Sequence, residues 1–188
     1  VVLWAGPKTH LVQYPLRRGE LFNLVAVFHS DQYSEGWDAA ADPAELHAKF
    51  AQAQPAVREL LARIDIWKMW VLCDREPIAN WSHGLITLLG DAAHPMLQYL
   101  AAGAGMAIED AWVLARCLAQ TPDNPAQALL EYQNQRYLRT GRVQYTARFF
   151  GELYHASGVA RELRRQMLAA PRAPGADNPM AWLYDGIE

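Results

Sequence analysis

One stretch holds most of the residues whose types and spacing suit chemistry. Gly90-Asp91-Ala92-Ala93-His94-Pro95 is followed by Gly103-Ala104-Gly105-Met106-Ala107-Ile108-Glu109-Asp110-Ala111. Just before it, Leu85-Ile86-Thr87-Leu88-Leu89 is a nearly continuous apolar run that stops at Gly90-Asp91. Such a run suits a strand covered on both faces, and open α/β sheets bind ligands at the C-terminal ends of their strands. A carboxylate fixed there accepts hydrogen bonds from a polyhydroxyl ligand. The Gly-Ala-Gly turn then opens a helix whose first backbone N–H groups lie at its positive end, which suits an anion or an electron-rich carbonyl. A plainer reading stays open: a strand–loop–helix connection in which Asp91 only caps a turn. His94 reads as a loop-positioning residue, and Glu109-Asp110 as acidic residues favourable to the helix dipole.

The elements that must position these residues are legible on both sides. His10–Arg17 and Leu21–His29 have strand character and pair across Arg17-Arg18-Gly19-Glu20, where the glycine suits a hairpin turn. Asp42-Pro43-Ala44-Glu45 is an N-cap sequence for a helix reaching about Gln54. Pro55 opens a second helix with Val57, Leu60, Leu61 and Ile64 on one face, and Trp67–Cys73 returns to strand. The helix after the glycine turn is predicted over Gly103–Gln120, with Ile108, Ala111, Trp112, Ala115 and Leu118 at helical spacing. Asn124-Pro125 starts a long helix toward Tyr154, in which Gly141 and Gly151 predict a bend or break. A short helix over Val159–Ala169 follows, with Arg161, Arg164 and Arg165 on a solvated face. Pro171–Gly175 is a linker, and Met180–Tyr184 is apolar enough to dock. Trp67, Trp70, Trp81 and Trp112 read as core or interface residues.

Composition bounds the function. Hydrophobic residues make up 52% and charged residues 20%, an ordinary globular balance. The net charge of −3 argues against nucleic acid as a partner. No apolar run approaches the roughly 20 residues that span a bilayer. Cys73 and Cys117 read as two buried free thiols in a reducing cytoplasm, and no spacing suggests a metal site. Val1 carries neither an initiator Met nor a signal sequence, so the expectation is a chain cut from something longer.

GDAAHP with a downstream GxGxxxxED resembles the second flavin signature of the single-component flavoprotein monooxygenases, the family of p-hydroxybenzoate and salicylate hydroxylases. The resemblance runs from His10 to about Tyr154. It implies FAD as cofactor, NAD(P)H as co-substrate and a small aromatic acid as substrate. By the match Asp91 holds the ribityl chain, and the amides of Gly103, Ala104, Gly105 and Met106 meet the pyrimidine side of the isoalloxazine. The finer likeness is to the branch that hydroxylates 3-hydroxybenzoate at its 6-position to give gentisate. It rests on Pro95-Met96-Leu97-Gln98-Tyr99-Leu100 and His10-Leu11-Val12-Gln13-Tyr14. By that match His10 and Gln98 hydrogen-bond the substrate phenol, His10 helps deprotonate it, and Tyr14 lines the same pocket.

The chemistry accords with this, because electrophilic hydroxylation needs an electron-rich ring and a phenolate is richer than a phenol. A histidine, with a reference pKa near ~6.5, is a suitable acceptor at neutral pH. Positions four apart on a strand share a face, so His10 and Tyr14 reach one side together, though both also read as ordinary strand residues. Two departures from the family matter. Ala102 stands where many relatives carry Gln or Ser. No GxGxxG serves the AMP and pyrophosphate end of FAD, so the N-terminal dinucleotide-binding part of such an enzyme is the expected missing partner.

The expected fold is α+β, a fragment of the p-hydroxybenzoate hydroxylase-type fold. Residues 1–75 would belong to the substrate-binding domain and residues 76–188 to the FAD-binding domain plus C-terminal helices. Alone, the chain is expected to be inactive; a homodimer is possible for the parent. The rival readings are a hydroxylase of salicylate or another phenolic ring, and a non-catalytic interaction module descended from one.

Overall fold

The computed structural model describes residues 1–30, 36, 39–169 and 178–184. The elements in chain order are β1 (Val2–Gly6), β2 (Thr9–Leu16), β3 (Leu21–Phe28), β4 (Ala39–Ala40), α1 (Pro43–Lys49), α2 (Pro55–Leu61), β5 (Lys68–Met69), β6 (Ser82–His83), β7 (Ile86–Thr87), α3 (Gly103–Gln120), α4 (Pro125–Tyr154), α5 (Gly158–Ala169) and α6 (Ala181–Tyr184). They fall into two compact units: Val1–Val71 with Glu152–Ala170, and Leu72–Gly151 with Pro171–Glu188. The mixture of helices and strands is the expected α+β class. The predicted linker Pro171–Gly175 lies outside the described residues.

The first unit is built on an antiparallel meander, β1-β2-β3, with His10 opposite Val27 and Tyr14 opposite Asn23. The β2–β3 connection is the predicted hairpin, and Gly19 takes its left-handed position at φ +97°. Alternation sends Leu11 to one face, where it packs with Leu46, Phe50, Val57 and Leu61 of the α1–α2 layer. His10 and Tyr14 take the opposite face. Asp42 caps α1 as predicted, its Oδ1 accepting from the Ala44 amide at 2.8 Å. That helix stops at Lys49 instead of Gln54, because Phe50 leaves helical geometry to bury its ring. The Trp67–Cys73 strand contracts to β5, which among the described residues pairs only with β4.

The arginine face of α5 needs correction. Arg164 is buried, and its Nη1 donates to the carbonyls of Leu153 and Tyr154 at 2.8 and 2.7 Å, capping the C-terminal end of α4.

In the second unit α3 has its predicted limits, but a different face is buried. Met106, Asp110, Val113 and Cys117 face inward, whereas Ile108 and Trp112 are 72% and 62% exposed. A carboxylate in the middle of the true stripe hid it from a hydrophobicity reading. The Leu85–Leu89 strand is likewise corrected. Its core, β7, pairs only with β6 around Gly84, and Leu85 and Ile86 stay exposed among the described residues.

Helix α4 runs unbroken through both glycines. A Cβ on Gly141 would lie 3.3 Å from Pro77 Cβ, and one on Gly151 only 2.5 Å from Tyr99 Cε2. The predicted break is absent, and both glycines admit neighbours at close range. The apolar tail docks as α6: Leu183 is buried with Met106 and Val143, and the Arg142 guanidinium lies 3.9 Å from the Trp182 ring centroid. Trp81 is core, but Trp70 and Trp112 are exposed. Both cysteines are free; Cys117 is buried and Cys73, contrary to expectation, is exposed.

Candidate functional site

Asp91 sits on a 3-10 turn, Gly90–Ala92, whose first residue has φ +60°. A Cβ on Gly90 would approach Ala107 Cβ to 3.2 Å, so glycine lets this turn lie against α3. What fixes the turn is Asp110. Its Oδ2 accepts from the Gly90 amide at 3.1 Å and from His94 Nε2 at 2.5 Å, and its Oδ1 accepts from Arg136 Nε at 2.7 Å. Asp110 and Arg136 are fully buried, and His94 nearly so. Burial pushes the Asp110 carboxyl up, but hydrogen bonds from His94 and Arg136, and the Gly90 amide, outweigh it and hold the group below the usual range. An ionised carboxylate only accepts, so His94 carries its proton on Nε2. The loop role expected of His94 is what the geometry shows, and Asp110 is an anchor more than a dipole residue.

Asp91 itself is exposed, and its carboxylate has no hydrogen-bond partner among the described residues. Its Oδ1 would lie 3.9 Å from a Cβ on Gly103, which puts the carboxylate beside the start of α3. That helix has Ala102 at its N-cap and no side-chain cap. The amides of Gly103, Ala104 and Gly105 therefore stand in a first turn that lacks intrahelical acceptors. Ala104 and Gly105 are exposed, and the space over Gly105 is open. Met106 departs from the expected set. Its amide donates to the Ala102 carbonyl at 2.9 Å and its side chain is buried with Val143 and Leu183, so it offers no donor.

The loop after His94 is tied to α4. Gln144 Nε2 donates to the carbonyls of Pro95 and Arg75 at 2.9 and 3.1 Å, and the Tyr99 ring lies against Gly151. Gln98, half-buried between these anchors, has no side-chain hydrogen bond among the described residues.

His10 and Tyr14 belong to the first unit, while Gln98, Asp91 and the start of α3 belong to the second. His10 is buried, and its Nδ1 lies 2.7 Å from His155 Nε2. His155 Nδ1 lies in turn 3.2 Å from Nε2 of His29, which is exposed. Burial, and then the charge of a protonated His155, lower the His10 pKa to about 4. Burial first and His29 second lower that of His155. Both rings are thus neutral, proton-accepting bases at pH 7. The Tyr14 hydroxyl accepts from Asn23 Nδ2 at 2.6 Å.

Sequence reading missed Asp110, Arg136, Gln144, His155 and His29. Asp110 carried one usable signal, a lone acid within an otherwise apolar i, i+4, i+7, i+11 stripe from Met106 to Cys117. The other partners are far apart in sequence, and no local pattern marks them.

Residues 2–146 match the FAD binding domain family. The chain is 42% identical over 183 residues to the 3-hydroxybenzoate 6-hydroxylase of Klebsiella oxytoca, covering 97% of this chain and 46% of that protein. A salicylate hydroxylase in complex with its substrate superposes with a TM-score of 0.79 at 30% identity, over 97% of this chain and 46% of that one. The Klebsiella pneumoniae HpxO variant R204Q complexed with FAD gives a TM-score of 0.71 at 28% identity, over 87% of this chain and 44% of that one. The chain spans about half the length of the relatives it matches.

Proposed function

The chain belongs to the FAD binding domain family, and from that premise we propose that it supplies the ring-side flavin site and part of the substrate pocket of an aromatic-ring hydroxylase. The substrate we assign is 3-hydroxybenzoate, hydroxylated at its 6-position to gentisate. The observation that carries the reading is the free Asp91 carboxylate beside the uncapped first turn of α3, both held by buried Asp110. This donor set fits FAD: a carboxylate for the sugar alcohol, amides for the electron-rich pyrimidine edge, and, among the described residues, no side chain over Gly105 to block approach. Bound there, FAD would pass reducing equivalents from NAD(P)H to oxygen for ring hydroxylation.

The chain's own residues do the rest. Asp91 accepts hydrogen bonds from the ribityl hydroxyls, and the amides of Gly103, Ala104 and Gly105 stabilise negative charge on the ring edge. His10, neutral at pH 7, accepts the phenol proton and so enriches the substrate ring in electrons. Gln98 hydrogen-bonds the phenol oxygen, and Tyr14 bounds the pocket on the His10 side of the sheet. The dinucleotide end of FAD would be held by the remainder of the enzyme, which we place in the cytoplasm. No helix among the described residues is long and apolar enough to cross a membrane.

The test is Asp91→Ala in the full enzyme. Flavin retained after gel filtration should fall while the far-ultraviolet circular dichroism stays that of the parent. Unchanged FAD retention would remove Asp91 from the site. Release of gentisate from 3-hydroxybenzoate, set against a panel of other hydroxybenzoates, decides the substrate.

A further inference from the structure

We propose that His155 and His29 form a proton path from His10 to solvent, so that the phenol proton leaves the buried pocket through three imidazoles. The proposal rests on the reading of His10 as the phenol's proton acceptor. The geometry is a continuous chain, with His10 Nδ1 at 2.7 Å from His155 Nε2 and His155 Nδ1 at 3.2 Å from His29 Nε2. It begins at a nearly inaccessible ring on β2 and ends at an exposed one after β3. His155 uses both ring nitrogens in it, the arrangement a relay requires.

In the starting state His10 and His155 carry their protons on Nδ1, each donating along the chain, and His29 accepts at Nε2. The phenol O–H bond breaks and its proton adds to His10 Nε2. His10 passes its Nδ1 proton to His155 Nε2, and His155 passes its Nδ1 proton to His29 Nε2. His29 gives its own Nδ1 proton to water. One proton leaves, every ring ends neutral, and no electron moves. Reprotonation of the departing product runs the same path backwards and restores the tautomers.

The surroundings favour passage over storage of charge. Burial, with repulsion from His155 on His10 and from His29 on His155, keeps both rings neutral at pH 7. Among the described residues, the charged groups facing His155 are Glu152 of α4, which favours its charged form, and Arg164 of α5, which opposes it. Tyr154 packs edge-on to His10. The His29 backbone is held by Lys49 of α1 on its carbonyl and by the Lys8 carbonyl on its amide.

The experiment follows the ultraviolet signal of bound phenol becoming phenolate after rapid mixing with the full enzyme, across pH, for three variants. His29→Gln keeps a hydrogen-bonding side chain at an exposed site but cannot relay a proton. It should slow phenolate formation on the order of tenfold in dilute buffer, leave KM unchanged, and regain its rate with added imidazole. A structural role would show no such rescue. His155→Gln, its fold checked by circular dichroism, should slow the step without rescue, because the site is buried. His10→Gln separates the two claims. If it leaves phenolate formation unchanged, His10 is not the acceptor, and the path falls with it. If it slows the step while His29→Gln keeps the parent rate and ignores imidazole, the acceptor reading stands and the path is overturned.

Discussion

Asp110→Asn preserves shape and removes charge at the point where α3, α4 and the Gly90–His94 loop meet. The carboxylate accepts three hydrogen bonds on its two oxygens, whereas an amide has one oxygen and an NH2 group. If the amide oxygen faces Arg136, the NH2 opposes the Gly90 amide and His94. If it is flipped, the NH2 opposes the Arg136 guanidinium. Either way a buried donor loses its acceptor. Removing one partner of a buried ion pair costs about 3–5 kcal/mol. Here Glu109 Oε2, 2.8 Å from Arg136 Nη1, retains part of the compensation, so the lower end, about 3 kcal/mol, is expected. For a chain of this size that is a fall in Tm of roughly 6–12 °C. Thermal melts of the 188-residue chain at pH 7 measure it, and hydrogen exchange at Gly90 reports which way the amide is turned. Because the Asp110 carboxyl is held below its usual range, its stabilisation is present above the unfolded value and lost as pH falls through the folded one. The gap between parent and variant should therefore shrink in strong acid. A variant melting within roughly 2 °C of the parent at pH 7 would refute the anchoring role.

Two further outcomes are expected. Gly151→Ala places a methyl 2.5 Å from the Tyr99 ring and should cost about 1–3 kcal/mol in denaturant titrations; Tyr99→Ala in the same chain should recover most of it, and additive losses would count against the close approach. The lowered His10 pKa makes folding stability full above about pH 6.5 and lost progressively toward about pH 4, with a slope up to about 1.4 kcal/mol per pH unit that His10→Gln should flatten; an unchanged slope would mean that His10 is protonated as readily folded as unfolded.

Local signals in the sequence were read well where one residue type forces one geometry. Asp42-Pro43 starts α1, Gly19 turns the β2–β3 hairpin, and the glycine turn opens α3 at Gly103. What local pattern could not supply was which face each element buries. On α3 the inward stripe includes Asp110, whose burial makes sense only with Arg136 supplied 26 residues later and His94 16 residues earlier. The two glycines of α4 read as helix breakers because their neighbours, Pro77 and Tyr99, lie far away in sequence. The candidate site divides in the same way. Asp91 and the α3 amides form one contiguous motif, whereas the partner of His10 is His155, just past α4, which in turn meets His29, just past β3.

The first unit is discontinuous: its meander is complete by Phe28, yet His155, 145 positions after His10, is contributed from beyond the second unit. During synthesis the ribosome must add residues 72–151 before that segment emerges, roughly 4–16 s at ordinary elongation rates. For that interval His10 lacks Tyr154 and His155, its native neighbours, while the opposite face can already close over Leu11 with α1 and α2. The sheet thus spends its early life half-dressed.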